Sequence, residues 1–270
     1  VFGHYDFNDK MTGYVEMHYS GNTANVQIAP TNATGNFLVN TNNPYVSQAV
    51  RDIFTQLDAR ETGTTTVTRG TLISTTTPND GLAIINFNRR FADIPTRFAD
   101  ADHQVFRTAL GVRGNLGSVS DNFLSNLAYD AYYSYARTSE TDVQSGGVSL
   151  SSIQRAMLSQ GGQPPVLNMF GQGHISQAAQ DAILVNSISK IVAEQEVAVA
   201  SVTGVAFNMP AGPVDFATGL EWRSAFGQYI PDRFLSSGDV SGWNAALPTK
   251  GSQTVREVFG EFRVPVIANA

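Results

Sequence analysis

Charged side chains recur at alternate positions along several stretches of this 270-residue chain. Alternate side chains of a β-strand point to the same face, so this spacing predicts one polar surface. Such a surface can bind a polar ligand, or its charges can pair with each other across neighbouring strands. The candidate ligand-binding residues are Glu16, Asp130, Glu221, Arg223, Glu257 and Glu261, and the same surface is expected to hold Glu194, Glu196 and Arg263.

Two adjacent arginines, Arg89 and Arg90, form a second candidate site. Guanidinium groups bind carboxylates and phosphates through paired, charge-assisted hydrogen bonds. The pair could therefore bind an anionic ligand such as a ferric chelate or a phosphate. The alternative is that both side chains stabilise a loop hairpin.

Residue spacings typical of catalysis are absent from the sequence. The four histidines are far apart, and neither H-x-x-x-H nor H-E-x-x-H occurs. No G-x-S-x-G nucleophile turn is present, and the chain has no cysteine. Glu257 and Glu261 lie roughly 13 Å apart on one strand at ~3.3 Å per residue, too far for glycosidase chemistry. We therefore expect no enzyme, no catalytic residue, no metal site and no cofactor.

The composition restricts the class of protein. Hydrophobic residues make up 42% of the chain and charged residues 15%, below the ~25% charged residues of typical soluble domains. The net charge of −6 argues against a nucleic-acid partner. No apolar run approaches the ~18 residues of a membrane helix. We expect any leader peptide to have been removed or to lie outside this sequence.

The strands that must position the charged residues are long and alternating. Residues 191–207 and 215–229 flank the turn sequence NMPAGPV. Strands of soluble sheets usually have about 5 or 6 residues, whereas a strand that crosses an outer membrane has roughly 9 to 11. The pattern predicts a transmembrane β-barrel with lipid outside and a polar lumen inside. The residues expected to face lipid are Val197, Val199, Val205, Leu110, Val112 and Phe262.

Short turns alternate with long insertions along the chain. The turns are expected at residues 8–10, 117–121 and 208–213, and the insertions follow residues 28, 139 and 230. Outer-membrane barrels have short periplasmic turns and longer extracellular loops. Helices are expected within the insertions at residues 44–57, with Asn43 as N-cap, and at 151–160 and 176–186. We expect segment 83–98 to form a hairpin with the chain that follows it.

About seven crossing strands result, and complete single-chain bacterial barrels have an even number. The predicted fold class is therefore all-β: an antiparallel transmembrane β-barrel segment of a larger barrel, with long extracellular loops that contain short helices. Residues 1–270 are predicted to form one partial barrel domain.

Several motifs in order resemble TonB-dependent outer-membrane receptors. MPAGPVDFATGLEWR is similar to their periplasmic turn and Gly-x-Glu-aromatic-Arg strand, and TVREVFGEFRVPV to their acidic strand before a proline, here Pro265. TNNPYVSQAV, the Arg89 and Arg90 pair, and the Gly-x-Arg-Gly strand around Arg113 occur in the matching order. The likeness extends over nearly the whole chain.

This resemblance implies active import of a scarce nutrient, such as a ferric siderophore, a vitamin or an oligosaccharide, at the cell outer membrane. Family members have a 22-stranded barrel with an N-terminal plug, and this chain shows neither the plug nor the energy-coupling box. The implied partners are the lipid bilayer, the remainder of the same barrel with its plug, and the TonB energy-coupling complex. The lumen charges would then bond the plug or each other.

Two other functions fit the same residues. One is a passive porin or adhesin barrel, which would have no plug or coupling box in the full gene. The other is a soluble extracellular β-protein that binds glycans, which would be recovered without detergent.

Overall fold

The computed structural model describes residues 1–267, and strands dominate this part of the chain. The strands, in chain order, are β1 (Phe2–Asn8), β2 (Met11–Ile28), β3 (Asn32–Asn40), β4 (Thr65–Arg69), β5 (Leu72–Thr76), β6 (Leu82–Arg90), β7 (Arg97–Gly117), β8 (Phe123–Val148), β9 (Leu184–Met209), β10 (Gly212–Pro231) and β11 (Thr249–Arg263). The helices are α1 (Gln48–Ala59), α2 (Leu150–Ala156), α3 (Gln177–Ile183) and α4 (Arg233–Ser237).

Seven strands form one antiparallel sheet, which we call the main sheet, in the order β1-β2-β7-β8-β9-β10-β11. The seven predicted crossing strands correspond to these seven. Strands β8 and β9 have 26 residues each, and β7 has 21. The sheet is not closed: within residues 1–267, β1 pairs only with β2, and β11 pairs only with β10.

Tight turns join the main-sheet strands at one end, as the turn residues predict. Asn8 accepts a hydrogen bond from the backbone N–H of Lys10 through its side-chain oxygen, at 2.9 Å. Asparagine favours turns because its short side chain satisfies nearby backbone groups. Met209 pairs with Gly212 at the β9–β10 turn. All three predicted short turns therefore lie at the same end of the antiparallel sheet.

The three long connections fold together at the opposite end into what we call the loop unit, residues 29–96, 149–183 and 232–248. Its sheets are β3–β6 and β4–β5. Helix α1 packs against β6, α2 packs against β3, β4 and α3, and α4 packs against β9 and β10 of the main sheet. The buried hydrophobic cluster of the molecule lies largely here, and its large members include Phe37, Phe54, Phe87, Phe91, Ile153, Met157, Leu167 and Ile183.

Buried polar contacts fix the connections of the loop unit to each other. The fully buried side chain of Gln154 on α2 accepts from the backbone N–H of Leu38 at 2.9 Å and donates to its carbonyl at 3.0 Å. The amide thus satisfies both backbone groups of one residue on β3. A buried amide is stable only when it is hydrogen-bonded, so this pair specifies how α2 docks.

The start of the first helix and the partner of β6 differ from the sequence prediction. Helix α1 begins after Ser47 rather than Asn43, because Asn43 instead forms a turn in which its side chain accepts from the N–H of Tyr45 at 2.9 Å. Strand β6 pairs with the preceding β3, not with the chain that follows it. Short strands β4 and β5 form a separate hairpin.

Within residues 1–267, no helix is both long and apolar enough to span a membrane.

Candidate functional site

The strand register brings the six candidate residues of the main sheet onto one face. Directly opposed residues of an antiparallel pair point to the same side. Glu221 opposes Glu257, and Ala217, which shares the face of Glu221, opposes Glu261. The same comparison across the other pairs places Glu16, Asp130 and Arg223 on this side. We call it the charged face, and it is the candidate functional site.

The opposite face is mainly apolar over the half of the sheet nearer the short turns, and its polar members there include Thr108, Thr218 and Arg256. We call this the apolar face. Its members are Val15, Met17, Tyr19, Phe106, Leu110, Val112, Tyr129, Ala131, Tyr133, Tyr135, Ala198, Ala200, Val202, Phe216, Leu220, Trp222, Val258 and Phe262. Several large side chains are exposed, with Val258 at 78% and Phe262 at 67%, whereas the aromatic rings of Phe106, Tyr129, Tyr135, Phe216 and Trp222 are partly buried.

The predicted facing of β9 is wrong. Val199 opposes Tyr132 and Glu221, so it lies on the charged face together with Val197 and Val205. Ala198 and Ala200 lie on the apolar face, as do Glu194 and Glu196 nearer the loop unit. The alternation along one strand shows which residues share a face. It does not show which of the two faces continues the apolar face of the neighbouring strands. Leu110, Val112 and Phe262 lie on the apolar face, as expected.

Ion pairs connect several of the candidate residues. Arg223 Nε lies 3.4 Å from Glu221 Oε1, and its Nη2 lies 3.3 Å from Glu257 Oε2. Arg107 reaches Glu16 at 3.8 Å. Each partner is between about a quarter and half exposed, so these pairs contribute little individually. This arrangement agrees with the second of the two roles predicted for these residues, in which the charges pair with each other across neighbouring strands rather than bind a ligand.

Three further contacts complete the charged face. The Tyr14 hydroxyl donates to Asp130 Oδ1 at 2.9 Å, and the Arg113 guanidinium carbon lies 5.6 Å from the centre of the Tyr14 ring. Arg263 pairs with Asp215 at 2.5 Å, at the end of the sheet nearer the short turns. Among residues 1–267, Glu261 takes part in no ion pair.

A shallow cavity of about 390 Å³ lies on the charged face near the short turns. Lys10, Arg113, Asp130 and Ser201 contribute to its lining. Lys10 and Arg113 were not among the residues predicted for the site. Arg113 lies at even spacing from Arg107 and Ala109 on the same strand. This spacing could have indicated that Arg113 shares the charged face. The cavity therefore presents charges of both signs to anything that packs against this face.

Arg89 and Arg90 lie in the loop unit, away from the charged face. Arg89 Nη2 pairs with Asp93 Oδ2 at 2.6 Å, and both side chains are largely buried. Arg89 Nη1 also donates to the carbonyl of Asn168 at 3.4 Å, and Arg90 donates to that of Pro30 at 3.0 Å. Arg89 therefore has a bonded, structural position, whereas Arg90 remains exposed.

The apolar face has a defined border toward the loop unit. Its residues become polar at the level of Tyr135, which opposes Glu196, and the ion pair of Arg137 and Glu194 at 3.2 Å follows. Aromatic residues line both margins of the apolar part. Tyr19, Phe106, Tyr135 and Trp222 lie near the loop unit, and Tyr129, Phe216 and Phe262 lie near the short turns.

The residues of the charged face are suited to binding a ligand. Residues 1–267 contain no group of three or more His, Asp or Glu side chains arranged to hold a metal ion. The charged face offers carboxylates, guanidiniums and hydroxyls in fixed positions on long strands. Such an array can bind a polar surface or solute.

No known protein family, no characterised protein and no solved structure matched this chain in sequence or fold comparisons.

Proposed function

We propose that this chain forms part of the wall and outer loops of an outer-membrane active transporter. The observation that carries the proposal is the division of one long-stranded sheet into an exposed apolar face and a charged face. Soluble monomers rarely expose contiguous apolar patches of more than a few hundred Å². A sheet with this division is stable when lipid covers its apolar face.

The height of the apolar face supports the proposal. On β9, Gly204 opposes Phe216 of the inner aromatic margin, and Glu196 opposes Tyr135 of the outer aromatic margin. The two positions are separated by about 26 Å along the strand at ~3.3 Å per residue. A tilt of ~40° reduces this to about 20 Å, close to the ~25 Å height of the apolar band of outer-membrane barrels. The aromatic margins correspond to interfacial girdles.

The charged face then lines the lumen. Glu16, Asp130, Glu221, Arg223, Glu257 and Glu261 are placed there to contact a plug or a passing solute. Their mutual ion pairs favour a structural or plug-binding role for most of them. Glu261, with no ion pair in the described part of the chain, is the most available for an external partner.

The free edges of the main sheet support a larger assembly. Strands β1 and β11 expose backbone N–H and C=O groups along one side, and lipid offers no hydrogen bonds to satisfy them. We propose that further strands of the same barrel pair with both edges, and that a plug in the lumen couples the barrel to the TonB complex. The loop unit would face outward and capture a scarce nutrient.

Two alternatives remain distinct from this proposal. A passive porin or adhesin barrel would share the lipid-facing surface but would not need energy. A soluble extracellular glycan-binding β-protein would need another protein surface over the apolar face.

Uptake by living cells tests the proposal. The full-length gene is deleted, and the depletion of medium solutes by the deletion strain is compared with that by the complemented strain, with and without a protonophore. The proposal predicts that at least one solute is depleted only by complemented, energised cells. Protonophore-resistant uptake would indicate a passive pore, and recovery of the protein in the aqueous fraction without detergent would exclude a barrel.

A further inference from the structure

A cavity of about 430 Å³ lies in the loop unit at the point where all three long connections meet. The first connection contributes Thr71, the second contributes Ser152 and Arg155, and the third contributes Arg233 and Ser237. Two guanidiniums and three hydroxyls therefore converge on one space. None of these residues belongs to the charged face of the main sheet.

A buried carboxylate at the floor of the cavity holds the connections together. Asp239 is only 4% exposed, and its Oδ2 accepts from Ser149 Oγ at 2.6 Å and from Ser151 Oγ at 2.8 Å. Its Oδ1 accepts from the N–H of Ser151 at 2.8 Å. Gly70, with φ of +53°, packs so closely that a Cβ there would lie 1.7 Å from Asp239 Oδ1. The cavity thus has a rigid floor.

Asp239, which lines the cavity, and Asp232, which precedes Arg233 in the chain, are already bonded elsewhere. Asp239 is satisfied by the serines, and Asp232 accepts from the N–H groups of Leu235 and Ile188, each at 2.9 Å. Within residues 1–267, neither Arg155 nor Arg233 forms an ion pair with a carboxylate. The cavity therefore has two guanidiniums able to bind an external anion.

The positions of the guanidiniums are restrained without being blocked. Arg155 Nη1 donates to Ser151 Oγ at 3.3 Å, and the Arg233 guanidinium carbon lies 4.8 Å from the centre of the Phe234 ring. Both side chains are exposed. A guanidinium has five N–H donors, so these contacts leave most of them free for a ligand.

The cavity has room for more than a bare ion. A second cavity of about 310 Å³ adjoins it, because Ser152 and Arg155 line both. The second cavity is lined mainly by apolar groups, including Leu158 and Val166. A ligand with an anionic group and several hydroxyls can thus place its charge at the arginines while its body contacts both walls.

We infer that the loop unit binds the carboxylate-bearing residue of an acidic saccharide, with Arg155 and Arg233 binding the carboxylate and Ser152, Ser237 and Thr71 bonding hydroxyls. Paired guanidinium donors match a carboxylate, and serine and threonine hydroxyls match sugar hydroxyls. The inference does not require the transport proposal, because every polar residue that lines the cavity belongs to the loop unit, and β9 of the main sheet contributes only Val185.

Calorimetric titration of the full-length protein in detergent, at low ionic strength, tests the inference. The probes are glucuronate, glucose and inorganic phosphate. We expect glucuronate to bind at least about tenfold more tightly than glucose, because only glucuronate offers a carboxylate to the arginines. The variants Arg155→Gln and Arg233→Gln should each weaken glucuronate binding about tenfold or more. Arg60→Gln is the control, since Arg60 is exposed at the end of α1 and does not line the cavity.

Four results would overturn the inference. They are the absence of glucuronate binding, equal binding of glucose, binding of phosphate without glucuronate, and binding that is unchanged in both arginine variants. The conservative variants Arg155→Lys and Arg233→Lys keep the positive charge, so they separate loss of the guanidinium from loss of the fold. Intermediate affinity in these two variants supports contact with the anion.

Discussion

Glu221 and Glu257 lie directly opposite each other on β10 and β11, and Arg223 bridges their carboxylates. Like charges at opposed positions of a sheet repel each other. The guanidinium of Arg223 offsets this repulsion, because it forms an ion pair with each carboxylate. Arg223 therefore removes an unfavourable contact from the pairing of β10 with β11.

Removal of the bridge should destabilise the pairing of these two strands. We expect Arg223→Ala to reduce stability by roughly 0.2–1 kcal/mol, because the residues are partly exposed and solvent screens their charges. The additional substitution Glu257→Gln should recover most of this loss, since it removes the repulsion. Urea unfolding of the full-length protein in lipid vesicles measures both effects. A double variant that is less stable than Arg223→Ala would show that repulsion is not the cause.

Arginine on the two faces of β9 should have different consequences. Ala200 opposes Ala131 and Leu220 in the middle of the apolar face, where an arginine in the bilayer costs about 2–4 kcal/mol. Val199 opposes Glu221 on the charged face, where an arginine meets a carboxylate. Ala200→Arg should therefore lower the yield of assembled, protease-resistant protein in outer membranes, while Val199→Arg should not. A greater loss for Val199→Arg would reverse the assignment of the faces.

The loop around Asp80 should be sensitive to acid. Partial burial raises the pKa of Asp80, but bonds from the N–H groups of Thr77 and Leu82 and from the hydroxyls of Thr76 and Thr77 outweigh it and hold the pKa below 3.8. A carboxyl whose pKa is lower in the folded state stabilises the fold above its unfolded pKa. That stabilisation is lost as the pH falls through the lower, folded value.

Amide hydrogen exchange at Thr77 and Leu82 measures this effect. We expect their protection to be constant near neutral pH and to decrease below about pH 4, where the unfolded carboxyl begins to bind protons. Asp80→Asn should show lower protection at neutral pH and little further change in acid. If protection in the unsubstituted protein instead rises as the pH falls, the lowered pKa of Asp80 is contradicted.

Single cysteines should report the two ends of the sheet. The chain has no native cysteine, so each introduced thiol is unique. Thr64 is exposed in the loop unit, and Pro210 is exposed at the β9–β10 turn. A membrane-impermeant maleimide applied to intact cells should label Thr64→Cys and should label Pro210→Cys only after the outer membrane is disrupted. The opposite pattern would invert the topology.

The strands and turns of the main sheet were predictable because their signals are local. Turn residues such as Asn8 and Gly212 and the long alternating runs indicate the strands and their ends at the short turns. At the opposite end the prediction was wrong, because β8 continues from the expected end at 139 to Val148 and β9 begins at Leu184 rather than at 191. The facing of β9 was not predictable in this way. Val197 and Val199 resemble lipid-facing residues, and only their opposition to Ser134, Tyr132 and Glu221 shows that they share the charged face.

The loop unit was less accessible to prediction because its contacts are long-range. Asp239 bonds Ser149 and Ser151 across 90 and 88 residues of chain, and Gln154 bonds Leu38 across 116. Nothing in the local sequence of α2 indicates these partners. The same reason explains why Arg155 and Arg233 did not stand out, since they meet only after three connections have folded together.

The central claim is that lipid covers the apolar face of the main sheet, and spin labelling along β9 tests it most directly. Nitroxides are attached one at a time to residues 197–202 of the full-length protein in native outer membranes. Collision with oxygen, which is concentrated in lipid, should then alternate, with maxima at Ala198, Ala200 and Val202 and minima at Val197, Val199 and Ser201. Equal oxygen accessibility at both sets, or maxima at the odd-numbered residues, would contradict the account.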